Sequence, residues 1–218
     1  ITQTYELDHT TNAMNRYLRE GEMRNTDWFD ELFSLNVMQN HSVSISSGSE
    51  KATTYASVSV MVDPGWYKQS QTKRYTGNLN TTYKILDNLS FNLITNASFR
   101  KQKAPGTLSQ DLDAVSGKVK RDFDINPYSY ALNSGRVLDK DEYYTSNYAP
   151  FNVFDELNSN YIDLNIVDLK FQGELKWKVL PSLDLSVLGA FKYKTTSQEH
   201  KILDHSNQAM SYRAMDDP

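Results

Sequence analysis

The sequence predicts an all-β fold: about six long antiparallel strands running up and down as a segment of a transmembrane β-barrel, with long extracellular loops and a short N-terminal helix. Three observations predict it. Fourteen Tyr, nine Phe and three Trp in 218 residues make an aromatic-rich, strand-prone chain. Apolar and polar residues alternate with a period of two over stretches well beyond the common five or six residues of a globular strand. Very short turns at one end of the strands contrast with long loops at the other, the asymmetry of outer-membrane barrels.

Composition removes several alternatives. There is no Cys, so neither a disulfide scaffold nor a cysteine-built zinc site exists. The mean hydropathy of −0.63 leaves no apolar run near the ~20 residues of a membrane-spanning helix. Lys and Arg number 23 against 27 Asp and Glu and are scattered, so nucleic acid is not an expected partner. The chain opens at Ile1 without an initiator Met or targeting stretch and closes in the loop-like Ala214-Met215-Asp216-Asp217-Pro218, so it reads as a piece of a longer polypeptide.

Residues 1–38 form the first expected loop. Within it, Thr26 to Phe33 has a capping hydroxyl, early acids and the apolar pairs Trp28/Leu32 and Phe29/Phe33, which predict a short amphipathic helix with a side for docking. Ala13 to Arg24 is a further helical candidate, interrupted by Gly21. After Gln39 the period becomes two. Val43 and Ile45 alternate with serines, Gly48 to Lys51 turns the chain, and Ala56, Val58, Val60 and Val62 form the partner strand. Asp63-Pro64-Gly65 then opens a loop carrying Trp66 and Tyr67.

In the next hairpin Tyr75, Gly77, Leu79, Thr81, Tyr83 and Ile85 share one face and Arg74, Thr76, Asn78, Asn80, Thr82 and Lys84 the other. Leu89 to Phe99 continues the alternation, with Ile94 alone out of phase. The apolar faces coincide only across a connection of odd length, which predicts Leu86-Asp87-Asn88 as the loop, Asn88 in the left-handed conformation, and Tyr83 opposite Phe91, Leu79 opposite Thr95 and Asn78 opposite Asn96. The same argument applied to Val167–Val179 and Leu183–Tyr193, with Leu180-Pro181-Ser182 as the turn, pairs Trp177 with Leu185, Phe171 with Phe191, Gly173 with Gly189 and Lys178 with Asp184. A strand from Ile162 to Val179 spans ~60 Å at ~3.3 Å per residue. Residues 39–218 are thus a partial barrel, interrupted by a long loop over about 102–160 whose aromatic content predicts a folded contact surface rather than a solvated linker.

Alternation alone also fits a soluble sandwich. Length, turn asymmetry and the placement of Tyr83, Phe91 and Trp177 near the short-turn ends favour the membrane, where such rings form an interfacial girdle. Charges on the polar face suit a wet lumen better than a dry core.

Asn25-Thr26-Asp27-Trp28-Phe29-Asp30-Glu31-Leu32-Phe33, Gln39 to Lys51, Tyr55-Ala56-Ser57 and Lys73-Arg74-Tyr75, in this order and spacing, closely resemble the SusC-like (RagA/SusC-type) TonB-dependent outer-membrane transporters. Asn126 to Asn133, Asn147 to Asn152 and Asn160 to Asn165 resemble one subgroup of them. Two places depart from the family pattern: Ser47-Gly48 stands for Gly-Gly, and Pro64 is unusual. The resemblance implies a bacterial outer-membrane barrel of about 22 strands around a plug. It also implies a SusD-like surface lipoprotein over the mouth, energy relayed by TonB through a segment absent from these residues, and uptake of oligosaccharide or peptide fragments. Neither catalysis nor a cofactor or metal is expected from it. Loops near 63–72, 102–160 and after Thr195 then face outside.

Within those loops Trp66, Tyr67, Tyr128, Tyr130, Tyr143, Tyr144 and Tyr148 are the candidate substrate or partner contacts, because amphipathic rings stack on sugars and anchor protein interfaces. For any one of them, packing within the loop is the favoured role. His200 and His205 read as surface histidines, and Asp139-Lys140-Asp141-Glu142 as a solvated turn without the spacing of a calcium loop. A soluble carbohydrate-binding module and a passive structural barrel are the alternative readings.

Overall fold

A computed structural model describes residues 10–106, 111–112, 119–120 and 125–216. The first nine residues of the expected N-terminal loop, much of the 107–124 stretch and the last two residues of the chain lie outside them. The chain runs α1 (Thr11–Met23), α2 (Trp28–Leu32), β1 (Gln39–Gly48), β2 (Ala52–Asp63), β3 (Gln71–Leu86), β4 (Leu89–Pro105), β5 (Asp111–Leu112), β6 (Val119–Lys120), α3 (Pro127–Asn133), β7 (Tyr144–Ser146), β8 (Ala149–Phe151), α4 (Val153–Ser159), β9 (Asn160–Leu180), β10 (Leu183–Ile202) and α5 (Asn207–Asp216).

Six of the strands form one antiparallel sheet in the order β1-β2-β3-β4-β9-β10, so every neighbour is the next long strand in the chain. The registers match the alternation: Tyr83 lies opposite Phe91, Leu79 opposite Thr95, Trp177 opposite Leu185, Phe171 opposite Phe191, Gly173 opposite Gly189 and Lys178 opposite Asp184. Asn78 and Asn96 meet as expected, with Asn96 Nδ2 donating to Asn78 Oδ1 at 3.0 Å and Asn78 Nδ2 donating to Ser57 Oγ at 3.1 Å. This amide chain ties three strands across the polar face. Gly173 has a packing reason, since a Cβ there would stand 3.2 Å from the Phe91 ring that lies against it.

The two short turns differ from expectation. Leu86 pairs with Leu89 and Leu180 with Leu183, leaving the two-residue turns Asp87-Asn88 and Pro181-Ser182. Register shifts beside them leave Ile85 and Val179 as the extra residues. A bulge changes the parity of a hairpin just as a third loop residue does, so the faces still coincide. Asn88 does not take the left-handed conformation; its Nδ2 donates to Lys178 O at 3.1 Å, bracing one turn against the next.

Other boundaries also move. Asp27, not Thr26, caps α2, its carboxylate accepting from Phe29 N at 3.1 Å and Asp30 N at 3.4 Å, while Thr26 Oγ1 donates to Leu138 O. α1 runs through Gly21, β10 runs on past Thr195 to Ile202, and the Ala214-Met215-Asp216 segment is helical rather than loop-like.

The apolar residues of the sheet are not buried in a core. Phe171 is 44% exposed and Trp177 46% exposed. They belong to a band whose edges line up across the strands. Tyr75, Phe99 and Val167 form a row at the loop end, and Leu89, Trp177 and Leu185 a row at the turn end. From one row to the other, both included, run eleven residues of β4, Leu89 to Phe99, and eleven of β9, Val167 to Trp177. Beyond the upper row the same face turns polar, with Lys73, Lys101, Asn165 and Ser197 in register, then Gln71, Lys103, Asp163 and Glu199. β9 makes this switch by placing Ile166 and Val167 side by side, so that Ile162, Leu164 and Ile166 move to the opposite face.

The buried core lies elsewhere, at the loop end. Trp28, Leu32, Ala131, Phe151, Val153 and Leu157 cluster there between α2, α3, α4 and β8, with Phe33, Tyr130 and Phe154 packed against them. The 102–160 stretch, where described, is therefore folded upon the N-terminal segment.

Candidate functional site

Asparagine or aspartate starts each of the three helices that shape the loop end. Asp27 caps α2, Asn126 caps α3 and Asn152 caps α4, each side chain accepting from two backbone N–H groups of the first turn. Pro127 fills the first position of α3, where its missing N–H costs nothing. Asn152 also donates to Lys140 O at 2.8 Å and Glu142 O at 3.2 Å, joining α4 to the preceding turn. That turn is not simply solvated. Arg24 reaches Asp139 and Glu142, both at 3.4 Å, and Lys140 reaches Glu31 at 3.0 Å, which raises the Lys140 pKa.

Around this frame three of the sequence-predicted contacts come together. Trp66, Tyr67 and Tyr128 line a cleft of about 450 Å³ with Phe33, Pro105, Pro127 and Ile162. No charged residue is among its described lining residues. Pro105 ends β4 and Ile162 lies near the start of β9, so the cleft stands at the loop end of the sheet. Trp66 is 73% exposed, while Phe29 packs edge-on to Tyr128 with ring centroids 5.8 Å apart.

The turn presenting Trp66 depends on one glycine. Gly65 has φ of 78°, its N–H donates to Asp63 Oδ1 at 2.9 Å, and a Cβ on it would fall 1.8 Å from Ser70 Oγ. Ser34 N donating to Trp66 O and Lys68 N donating to Leu32 O, both at 3.1 Å, tie the same segment to the end of α2. Gly65→Ala is expected to cost about 1–3 kcal/mol through the left-handed backbone alone. It should loosen the turn from α2, read as faster amide exchange at Ser34 and Lys68 relative to a Gly21→Ala control in the full-length protein.

The remaining four candidates separate. Tyr130 packs edge-on against Trp28, centroids 5.4 Å apart, and burial raises its pKa. Tyr144 is only 4% exposed, donates to Asp139 O at 3.0 Å, and its hydroxyl is pushed up to about 12 by burial. These two lie inside the folded loop. Tyr143 is exposed, lining a smaller cleft of about 320 Å³ with Glu31, Lys140, Asp141 and Asp155; its hydroxyl donates to Asp155, which raises its pKa.

Tyr148 is the most exposed of the set at 84%. It ends a two-residue connection between β7 and β8 in which Asn147 has φ of 50° and Tyr148 φ of 63°. That mirror-image turn favours Asn-Gly, and a tyrosine there is strained. The strain is held by α5: Ser211 Oγ donates to Asn147 O at 2.6 Å, and Asn147 Nδ2 donates to Asn207 Oδ1 at 3.1 Å. Tyr148→Gly is expected to stabilise the hairpin by about 1 kcal/mol, read as slower amide exchange of β7 and β8.

Sequence reading missed the group that docks α5. Glu156 is buried, accepting from Asn160 Nδ2 at 2.8 Å and from Asn207 N at the start of α5 at 2.5 Å; burial raises its pKa. His200 belongs to the same network, its Nε2 being 2.5 Å from Asn160 Oδ1, and is half-buried rather than on the surface. No group of His, Asp and Glu among the described residues is arranged to hold a metal ion.

No protein-family model matches the chain, and no curated protein matches it. Solved structures do. The RagAB peptide importer in its closed-closed state is similar over 84% of this chain and 20% of its own, with a TM-score of 0.59 and 15% identity. The RagAB peptide transporter gives 0.56 and 16% identity over 80% of this chain and 19% of its own. The open-open state of the importer gives 0.56 and 16% over 79% and 19%. At these identities the likeness concerns the fold, and the chain spans about a fifth of the length of those structures.

Proposed function

We propose that this chain is a stretch of the wall and mouth of a bacterial outer-membrane transport barrel, a SusC-like importer of peptide or glycan fragments. The observation that carries the reading is the aligned, uncovered apolar band. Eleven residues at ~3.3 Å each, tilted by ~45°, cross about 25 Å, the height of the apolar belt of such barrels. Tyr75, Phe99 and Tyr193 toward one edge and Tyr83, Phe91 and Trp177 toward the other supply rings at both interfaces. The opposite face, with its Ser57-Asn78-Asn96 chain and the Lys192–Asp168 pair at 3.4 Å, lines a wet interior. Backbone pairing in lipid must be complete, so β1 and β10 pair with further strands of the whole protein.

In this reading the loop end is extracellular and the two-residue turns are periplasmic. The uncharged cleft of Trp66, Tyr67 and Tyr128 offers rings to a passing solute. Tyr143 and Tyr148 face a SusD-like lipoprotein that covers the mouth. TonB acts through a segment outside these residues. The chain performs no covalent chemistry and needs no cofactor.

The test is made on the full-length protein. It should fractionate with the outer membrane, migrate in a heat-modifiable form on gels, and take up labelled peptide or oligosaccharide only while the energised TonB system is intact. Recovery in the soluble fraction would favour a carbohydrate-binding module instead. Uptake insensitive to loss of TonB would leave only a passive barrel.

A further inference from the structure

The row just beyond the apolar band holds a pair of basic partners on the outward face, whereas the sheet's other basic partners, Arg74/Arg100 and Lys170/Lys192, lie on the polar face. Lys73 of β3 and Lys101 of β4 are direct cross-strand partners, and their odd positions place them on the outward face with Tyr75 and Phe99. Like charges directly opposite across a strand pair repel. Among the described residues neither lysine has an ion pair or hydrogen bond, and their row is flanked by Val62 and Asn165, which carry no charge.

The other lysines at this level are satisfied. Lys103 lies 3.8 Å over the Tyr161 ring, and Lys201 pairs with Asp163 at 2.6 Å. The row below is apolar, with Tyr75 stacked on Phe99 at 6.3 Å between centroids.

We propose that Lys73 and Lys101 together bind the phosphate of an anionic glycolipid in the leaflet next to the loop end. This rests on the membrane reading above. Two ammonium groups on long apolar stems, set immediately above a lipid-facing band, reach the headgroup level while their stems stay on the band. A phosphate between them would neutralise the repulsion that the described side chains leave in place. The apolar row beneath would meet the acyl chains of the same molecule, which a free phosphate cannot do.

The test uses the purified full-length protein in a neutral detergent, comparing wild type with the Lys73→Gln/Lys101→Gln double variant. Bisphosphorylated lipid A, the same lipid stripped of phosphate, and inorganic phosphate are added separately. Thermal unfolding and bound-lipid stoichiometry by native mass spectrometry are the readouts. The phosphorylated lipid should raise the wild-type Tm by several degrees and remain bound, the stripped lipid should do neither, and the double variant should lose the effect while keeping its own lipid-free Tm. A Lys176→Gln variant, altered on the polar face near the opposite end, should behave as wild type. Equal shifts in wild type and double variant, no shift in either, or an equal shift with inorganic phosphate would overturn the proposal. Failure of the full-length protein to reach the outer membrane would instead defeat the membrane reading itself, so the two failures are distinguishable.

Discussion

Trp28→Ala is expected to cost the loop-end core about 3–5 kcal/mol, the usual range for emptying a buried indole site. Trp28 is 3% exposed, its Nε1 donates to Gly135 O at 3.0 Å, and its ring meets Tyr130 and Phe154. One side chain thus joins α2 to α3, α4 and the turn after α3. The variant should lose amide protection together in those three helices of the full-length protein while β9 keeps its own. Trp28→Phe retains most of the ring and forfeits chiefly the Gly135 bond, so its loss should be nearer 1 kcal/mol. Unchanged protection in α3 and α4 after Trp28→Ala would show that the extracellular segments are held by something other than this core.

Phe171→Lys is the second large effect. Phe171 lies near the middle of the apolar band, opposite Phe191 and Thr95. A lysine facing lipid at mid-depth costs about 2–4 kcal/mol. Gln172→Lys, one residue along but on the polar face, should cost close to nothing. Reversible folding of the full-length protein into bilayers under a denaturant series measures both. A soluble sandwich would make no such distinction by depth: Phe191→Lys and Leu185→Lys would follow burial alone, not distance from the band's midpoint.

What the sequence makes legible follows from which signals are local. Strict alternation in Val167–Val179 and Leu183–Tyr193 determines the register, because a one-residue slip would exchange the faces. The bulges at Ile85 and Val179 are not legible, since a bulged two-residue turn and a plain three-residue loop leave the same alternation. α3 and α4, seven residues each, are too short to show a period; only Asn126-Pro127 and Asn152 signal their starts. The upper edge of the band was present in plain sequence, in the adjacent apolar residues Ile166 and Val167, but its meaning depends on Phe99 and Tyr75 ending their own runs in the same row. The candidate tyrosines form one compositional class. Tertiary packing alone separates Tyr130 and Tyr144, inside, from Tyr128 and Tyr148, outside, and the meeting of Trp66 with Tyr128 depends on α2 and α3 lying together.

These 218 residues contain no cysteine, so single cysteines can be placed along β9 in full-length protein from which any cysteine elsewhere has been replaced, and the central claim becomes directly measurable. Each residue from Asn165 to Trp177 is replaced in turn in the full-length protein, reconstituted in lipid vesicles, and exposed to a charged, membrane-impermeant maleimide. Labelling should alternate, with even positions such as Lys170, Gln172 and Glu174 reacting and odd positions such as Leu169, Phe171 and Leu175 protected. Protection should end at Asn165, one row beyond the band. Uniform labelling of both phases, or protection of the even phase instead, would contradict a wall whose apolar side meets lipid.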